Sequence, residues 1–290
     1  MTTSTKTSPP SGQTDSRWGF WLFLLIFLLF STNLFAGVLV APTVVFVSDK
    51  NRTGRLDVQN PTQQPREVTI HFSYGLPESD SLGNVSVNLK DSGVVDSRAA
   101  VEWVKAFPRK LVIPPGATQV VRLVATPPPG LADGEYWARI VVRSQEGETS
   151  IPVPTAAGQI STKLNMIMQT AIMLKYRKGN LVAKLDMPKA TAVKNDSVVT
   201  VMTDFTNQGN ASYVGMLIVR LLDANKKELT RQQSDLAVYR ELRRRMELPI
   251  KNLQGVPTEV EISVSTDGRT DIAPDDLIRG NKIQQLVTLE

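Results

Sequence analysis

Histidine and cysteine, the side chains that most often carry nucleophilic, acid–base or metal chemistry, are almost missing from this chain. His71 is the one histidine among 290 residues, and there is no cysteine. A nucleophile–base pair or a metal cluster built from these residue types therefore cannot be assembled. His71 itself falls in a stretch of alternating polar and apolar residues, which indicates a solvent-facing position on a strand.

Two clusters of charged residues are the remaining candidates for chemistry. The aspartates near the C-terminus resemble a calcium loop only faintly, because their spacing does not fit an EF-hand, and loop composition explains them better. The arginine cluster indicates a solvated face, with an acidic partner or a lipid headgroup as the less favoured alternative. The sequence also contains no G-x-S-x-G, H-E-x-x-H or glycine-rich phosphate loop. We therefore expect no enzyme activity, no metal ion and no cofactor. The two clusters are Asp267, Asp271, Asp275 and Asp276, and Arg240, Arg243, Arg244 and Arg245.

Composition limits the classes of partner and the sources of stability. The apolar fraction of 41% and the charged fraction of 21% are those of a globular protein. The net charge of +5 is mild and scattered, so it does not argue for a nucleic acid partner. Without cysteine there are no disulfides, and the fold must depend on its hydrophobic cores and on the hydrogen bonds of its sheets.

The elements that would position any site are short strands separated by turn signals. In REVTIHFSYG, apolar and polar residues alternate from Val68 to Tyr74, which is typical of a strand with one solvated face. The same pattern recurs at roughly 8–12-residue spacing and predicts all-β architecture with two β-sandwiches. We place the domains at residues 38–177 and 178–290. Residues 76–99 are polar and weakly patterned, which favours a long loop or insertion, and VYRELRRRMELPI is the one piece that could hold a short helical turn.

Residues 1–37 carry an export signal with two open interpretations. The thirteen residues from Trp18 to Phe30 hold no charge and follow a positively charged flank, as in a secretory signal with a cut after Ala36. Leu34 fits that cut poorly, because a small residue is preferred there. The alternative is an uncleaved membrane anchor using Trp18 to Ala41, which is long enough to span a bilayer. Either interpretation exports the body of the chain, with the membrane contacted only through this segment.

The stretch LNMIMQTAIMLKY, from Leu164 to Tyr176, decides most of the functional interpretation. As a strand it places most of its apolar side chains on the even positions, and as a helix it has a fair apolar stripe. Its surroundings favour a strand over residues 161–176, because a lone helix among strands would need its own docking surface. Such a strand would be about 50 Å long, longer than one small sandwich can pair. Part of it should therefore lie at an edge.

An edge strand with methionine side chains could serve as a template for a strand of another protein. Its unpaired backbone groups can form a ladder with the partner, and the unbranched thioether side chains can adapt to different partners. The alternative is that the same residues simply fill the core of the first domain.

Five motifs, read in their order along residues 38–220, resemble the PapD-like periplasmic pilus (fimbrial) chaperone family: RLDVQNP, LVIPPGATQVVRLVAT, GEYWARIVVRS, MQTAIMLKYR and FTNQGNASYVGMLIV. The resemblance implies two immunoglobulin-like domains in tandem and a chaperone that lends an edge strand to incomplete pilin-like or other envelope subunits. An outer-membrane usher would be a further partner, and the location would be the periplasm. On this reading the client-binding residues are Leu164, Met166, Met168, Ile172 and Leu174.

One part of the family pattern is missing. The family anchors the carboxylate of its client with two cationic side chains, and the matching positions here are Thr43 and Met173, neither of them charged. Because charge-assisted clamps are among the stronger hydrogen-bond arrangements, neutral side chains cannot replace them. Lys175 and Arg177 lie nearby in the sequence and are the candidates for a displaced anchor.

The sequence thus favours a periplasmic chaperone or adaptor for fimbrial-type subunits that acts by strand addition along residues 161–176. The alternative is a structural or adhesive envelope protein that uses its immunoglobulin-like domains as binding modules and is anchored by its N-terminal segment. An envelope enzyme is disfavoured because no site for it is found.

Overall fold

The computed structural model describes residues 37–147 and 166–289. The predictions for the signal or anchor at residues 1–36, and for Leu164, lie outside these residues. In the two described segments, no helix has the length and apolar character needed to cross a membrane. These segments form one compact unit, built almost entirely from strands.

The first β-sandwich is formed by two sheets that pack face to face. A four-stranded sheet has the strand order β1-β3-β9-β7, and a five-stranded sheet has the order β2-β11-β10-β4-β8. A small hairpin, β5–β6, lies in the predicted insertion. The strands are β1 (Leu39–Ala41), β2 (Val44–Ser48), β3 (Thr53–Gln59), β4 (Arg66–Ser73), β5 (Pro77–Ser79), β6 (Val85–Val87), β7 (Val104–Phe107), β8 (Lys110–Ile113), β9 (Thr118–Ala125), β10 (Gly134–Glu146) and β11 (Met168–Lys178).

Period-two alternation in the sequence explains which side of each strand is buried. Leu56 and Val58 of β3 point inward from one sheet, and Ile70 of β4, Ile140 of β10 and Leu174 of β11 point inward from the other. All five are at most 1% exposed. Successive strand side chains face opposite sides, so the residues between them line the outer faces of the sheets. The first core is therefore the layer between the two sheets.

The second β-sandwich has its own core and two smaller sheets. One sheet has the order β12-β13-β16, and the other has the order β15-β14-β17-β18. Buried residues from Ala183 to Val264 fill the space between them. The strands are β12 (Leu185–Lys194), β13 (Val198–Asn207), β14 (Tyr213–Leu222), β15 (Glu228–Val238), β16 (Glu241–Pro249), β17 (Glu259–Ser265) and β18 (Ile283–Thr288).

The all-β prediction with two sandwiches is confirmed, and the strand interpretation of LNMIMQTAIMLKY is confirmed from Met168 onward by β11. The helical turn allowed for VYRELRRRMELPI is wrong. That stretch holds the end of β15, a bend at Tyr239 and Arg240, and β16. Both strands pair with neighbours in their sheets, which outweighs the helix propensity of the arginine and leucine residues.

Leu174 tests the assignment of β11 to the first core. Its side chain is fully buried between the sheets, so Leu174→Ala leaves a cavity and should lower the free energy of unfolding by about 2–5 kcal/mol. Urea unfolding followed by tryptophan fluorescence measures this. A loss below about 0.5 kcal/mol, the size typical of an exposed substitution, would contradict the placement.

Candidate functional site

The candidate site is the N-terminal half of β11, where one side of the strand has no neighbour in the described part of the chain. β11 pairs with β10 along its whole length, from Met168 to Lys178. On its other side β2 joins as a parallel strand, but only from Met173 to Arg177. We call the stretch from Met168 to Ile172 the open edge. Its backbone groups on that side are available to another strand.

The path of the chain between β1 and β2 explains why the open edge exists. β1 pairs with β3 in the opposite sheet, and the chain crosses to the sheet of β11 only after Pro42. Proline has no N–H to give to a ladder, so it suits the point where pairing with one sheet stops. β2 therefore begins at Val44, opposite Met173. Among the described residues, the five before Met173 are left with one partner strand.

The side chains predicted to bind a client divide into two groups. Met166 is 51% exposed and Met168 is 38% exposed, so both offer apolar surface at the end of the sandwich. Ile172 and Leu174 are buried in the first core, and the prediction that they are available to a partner is wrong. They share a strand face with Met168, but that face turns into the sandwich interior as β11 passes between β2 and β10.

Gly37 packs against the open edge. A Cβ atom added to Gly37 would lie 2.6 Å from the sulfur of Met168, closer than real Cβ contacts come. A larger residue at position 37 would therefore require the flexible side chain of Met168 to shift. The first described residue of the chain is thus a neighbour of the exposed apolar side chains.

At the end of β11 opposite to the open edge, a buried carboxylate joins the two sandwiches. The side chain of Glu135 on β10 is fully buried and forms ion pairs with Arg177 (Nε to Oε2, 3.0 Å) and Lys175 (Nζ to Oε1, 3.5 Å). Ser212 of the second sandwich donates its hydroxyl to Glu135, and Lys175 donates to the same hydroxyl oxygen at 2.6 Å. Trp137 donates its indole N–H at 2.7 Å. We call Glu135, Lys175, Arg177 and Ser212 the junction cluster.

The junction cluster keeps Glu135 ionised. Burial alone would raise the pKa of its carboxyl group, but the charges of Lys175 and Arg177 and the hydrogen bonds from Ser212 and Trp137 outweigh burial and lower the pKa below its ordinary value. With these cations and hydrogen-bond donors, the charge of the buried carboxylate is compensated inside the protein. Loss of any donor would leave charge without compensation.

An apolar cluster fills the cleft next to the junction cluster. Met173 is 3% exposed and packs with aromatic and aliphatic side chains from both sandwiches. The rings of Trp137 and Tyr239 meet edge to face, with centroids 5.2 Å apart. Such contacts add about 0.5–1.5 kcal/mol beyond their area. We call this the cleft cluster, and its buried members are Tyr74, Leu76, Trp137, Met173 and Tyr239.

The structure leaves no described cation at the predicted anchor positions. Thr43 is exposed and neutral, and Met173 is part of the cleft cluster. The displaced-anchor prediction for Lys175 and Arg177 is contradicted by their surroundings. Lys175 is 3% exposed, and both side chains are paired with Glu135, while Arg177 also donates to the carbonyl oxygen of Asp276 at 2.7 Å. Neither is free to hold the carboxylate of a partner.

The other charged candidates have local partners. Arg240 pairs with Asp96 at 2.8 Å, and Arg243 makes a two-pronged contact with Asp204 at 2.6 and 2.8 Å. In the described segments, no three side chains of the metal-ligating acidic, histidine or cysteine types are grouped to hold a metal ion. The side chain of His71 is 33% exposed and lies 3.8 Å from a surface aspartate. These contacts are structural, and they point to no reaction.

The sequence-based prediction missed Glu135, Ser212 and Tyr239. Glu135 did leave a signal, because it is the one acidic residue within GEYWARIVVRS, a stretch rich in apolar residues. A carboxylate in such a strand is rarely buried without a partner, so a cation on a neighbouring strand could have been expected. Ser212 and Tyr239 left no comparable signal, since they belong to the second sandwich and their contacts are with residues of the first.

Comparison with known proteins gives a likeness of fold only. No family model and no curated protein sequence matches the chain. Among solved structures, the class 5 fimbriae chaperone CfaA is 12% identical, with 86% of this chain and 98% of that chain covered and a TM-score of 0.42.

Two further solved structures have similar sequence identities, coverages and TM-scores. The E. coli chaperone DraB is 15% identical, with coverages of 86% and 95% and a TM-score of 0.41. A chain from the complex of the Salmonella enterica SafA pilin with the SafB chaperone is 15% identical, with coverages of 88% and 98% and a TM-score of 0.41. At these identities and TM-scores the likeness carries no inference about what this chain binds.

The junction cluster predicts how stability depends on pH. Because the pKa of Glu135 is lowered on folding, its contribution is fully present above the unfolded glutamate pKa of about 4.3 and is lost as the pH falls below it through the folded pKa. Glu135→Gln leaves Lys175 buried without its carboxylate and should cost about 3–5 kcal/mol at neutral pH. Its stability should also fall less steeply in acid.

Urea unfolding at a series of pH values measures both effects, and Glu102→Gln, at an exposed carboxylate, is the matched control. Equal stability and equal acid dependence in the native chain and the Glu135→Gln variant would show that the junction cluster does not stabilise the fold.

Proposed function

We propose that this chain is a periplasmic chaperone or adaptor that binds incomplete fimbrial-type or other envelope subunits by adding the open edge of β11 to their sheet. The observation that carries the proposal is the change in pairing at Met173. Before this residue β11 has a described neighbour on one side, and after it on both sides. A strand with one free side beside exposed methionines is the arrangement that strand addition requires.

The structure sets the extent of the proposed contact. β2 occupies the position beside β11 from Met173 onward, so a partner strand can extend only to Ile172. The open edge from Met168 to Ile172 is about 17 Å long at 3.3 Å per residue. The contact is therefore shorter than the whole of residues 161–176, and Leu164 would extend it beyond the described residues.

Exposed apolar side chains supply the second part of the contact. Met166, Ile167 and Met168 are between 38% and 51% exposed, next to the free backbone groups. Methionine has three rotatable side-chain bonds and a polarisable sulfur, so it can fill gaps in different partners. The backbone ladder would then supply affinity, while these side chains enter the exposed core of an incomplete subunit.

The proposed contact lacks an ionic anchor. Lys175 and Arg177 neutralise Glu135, and Met173 fills the cleft cluster. The partner would be held by backbone hydrogen bonds and apolar contact alone, without a clamp on a carboxylate. This separates the chain from the family that its sequence motifs resemble, and it favours an adaptor for a partner that needs no such clamp.

The location we propose is the periplasm, with the N-terminal segment either removed or retained as an anchor. The structure corrects one boundary of the anchor interpretation. Leu39 to Ala41 form β1, paired with Asp57 to Gln59, so they cannot also lie in a bilayer. A retained span would have to end before Leu39.

Charged residues at the exposed methionines test the proposed function. Met166→Lys and Met168→Lys place an ammonium group where a partner's apolar core would close, and the cost of burying that charge should reduce binding at least about tenfold. The measurement is the amount of a co-expressed fimbrial-type subunit from the same genome that co-purifies with the tagged chain from the periplasm.

Val193→Lys is the matched control, because Val193 is 49% exposed but lies on β12 of the second sandwich. Urea unfolding of each variant should show less than about 1 kcal/mol of lost stability. Normal co-purification by the methionine variants would refute the proposal. Unfolding of these variants would show instead that the side chains belong to the core.

A further inference from the structure

The predicted insertion at residues 76–99 contains a hairpin that reaches the second sandwich. β5 and β6 pair as antiparallel strands from Pro77 to Val87. The turn between them is held by Asp80, whose carboxylate accepts hydrogen bonds from the backbone N–H groups of Leu82 and Asn84, both at 2.9 Å. The hairpin therefore has a defined conformation, and both of its ends are connected to the first sandwich.

The hairpin rests on the outer side of β16, an edge strand of its sheet. The backbone N–H of Arg243 on β16 donates to the hydroxyl of Ser79 at 2.7 Å, and the guanidinium of Arg243 donates to the carbonyl oxygen of Ser81 at 3.3 Å. Val85 packs against the core of the second sandwich. These contacts include hydrogen bonds and apolar packing, so the hairpin is seated on β16 by more than one kind of interaction.

Gly83 at the tip of the turn makes the closest approach. Its φ is +77°, and an added Cβ atom would lie 2.8 Å from the backbone nitrogen of Arg245 and 2.9 Å from its Cβ. Because neither of these atoms belongs to the end of a flexible side chain, the hairpin would have to move to accommodate one methyl group. Glycine is thus required here both by its conformation and by its contact with β16.

The position of these contacts matters because they form a second attachment between the sandwiches. The first attachment consists of the junction cluster on β10 and β11 and of the cleft cluster, whose members include Leu76 just before β5 and Tyr239 just before β16. The hairpin continues from there and contacts the middle of β16, farther from the junction. Contacts confined to one end of an interface leave two bodies free to hinge about it, whereas a contact farther along limits that motion.

We propose that hairpin β5–β6 is a strap that fixes the orientation of the second sandwich relative to the first. This goes beyond strand addition at the open edge and does not depend on it, since the strap contacts no residue of β11 that takes part in the proposed binding. Its consequence is that the two sandwiches present their surfaces to any partner as one rigid body.

Gly83→Ala tests the strap, and Gly93→Ala is its matched control. Gly93 also has a positive φ, +67°, but a Cβ atom there would meet nothing within 4 Å. Both variants carry the same backbone strain, and only Gly83→Ala forces the hairpin off β16. The chain has no cysteine, so spin labels on cysteines introduced at the exposed residues Val112 and Val193 report the distance between the sandwiches without interference.

The expected result has two parts. In Gly83→Ala the amide of Arg243 should exchange its hydrogen roughly fivefold faster, as expected for the loss of one hydrogen bond, and the distribution of distances between the spin labels should widen. Gly93→Ala should match the native chain in both measurements.

A second variant covers the case in which the hairpin tolerates the methyl group. Replacing residues 77–87 with a short glycine–serine linker removes the strap outright, while the bridge between Tyr74 and Lys90 still closes the loop. A distance distribution as narrow as that of the native chain in this variant would overturn the proposal. A widened distribution in the linker variant, with exchange and distances unchanged in Gly83→Ala, would support the strap but remove Gly83 from it.

Discussion

The buried carboxylate of Glu135 is the interaction on which the arrangement of the two sandwiches depends. It lies on β10 of the first sandwich, receives hydrogen bonds from Ser212 of the second, and is neutralised by Lys175 and Arg177 on β11. A charge without solvent must find its partners inside the protein, and removing one member of such a group is strongly destabilising. The need to satisfy Glu135 therefore brings β11 and the second sandwich together.

This requirement divides β11 into two parts with different properties. From Met173 onward its side chains serve the junction cluster, the cleft cluster and the first core, and its backbone is paired on both sides. Before Met173 it pairs with β10 alone within residues 37–147 and 166–289, and Met166 and Met168 are exposed. One strand thus has a part paired on both sides and a part paired on one side. The first part holds the second in place, so the proposed partner strand would meet an edge that is already extended.

Sequence patterns predicted the strands well because period two is a local property. The alternation in β3 and β4 predicted the buried faces correctly, and the even positions Ile172, Leu174 and Tyr176 of β11 do face the first core. The same pattern could not tell an apolar face that fills a core from one that is exposed. Ile172 and Met168 look alike in the sequence, and only the position of β2 separates them.

Long-range contacts explain what the sequence could not predict. From the sequence, Lys175 and Arg177 were candidates for a displaced anchor, because their partner Glu135 lies 40 and 42 positions earlier in the chain. The sequence predicted a loop at residues 76–99 because hairpin β5–β6 is short and polar. The residues of β16 that it contacts lie more than 160 positions away in the chain. Period and propensity carry no information about partners at such separations.

The charge pattern of the junction also bears on what kind of partner the open edge can hold. In a binding site for a terminal carboxylate, at least one cation must be left without an internal counter-ion. Here Lys175 and Arg177, the two described cations nearest to the open edge along β11, both pair with Glu135. Their charges lower the pKa of its carboxyl group. To release Lys175 for a ligand, the protein would have to leave Glu135 undercompensated in the interior, at a cost of several kcal/mol. A ligand carboxylate would give Lys175 the same kind of ion pair that it already forms with Glu135. Exchanging one carboxylate for the other therefore has no driving force. The proposed recognition at this edge would therefore come from the backbone ladder and from apolar contact with the methionines.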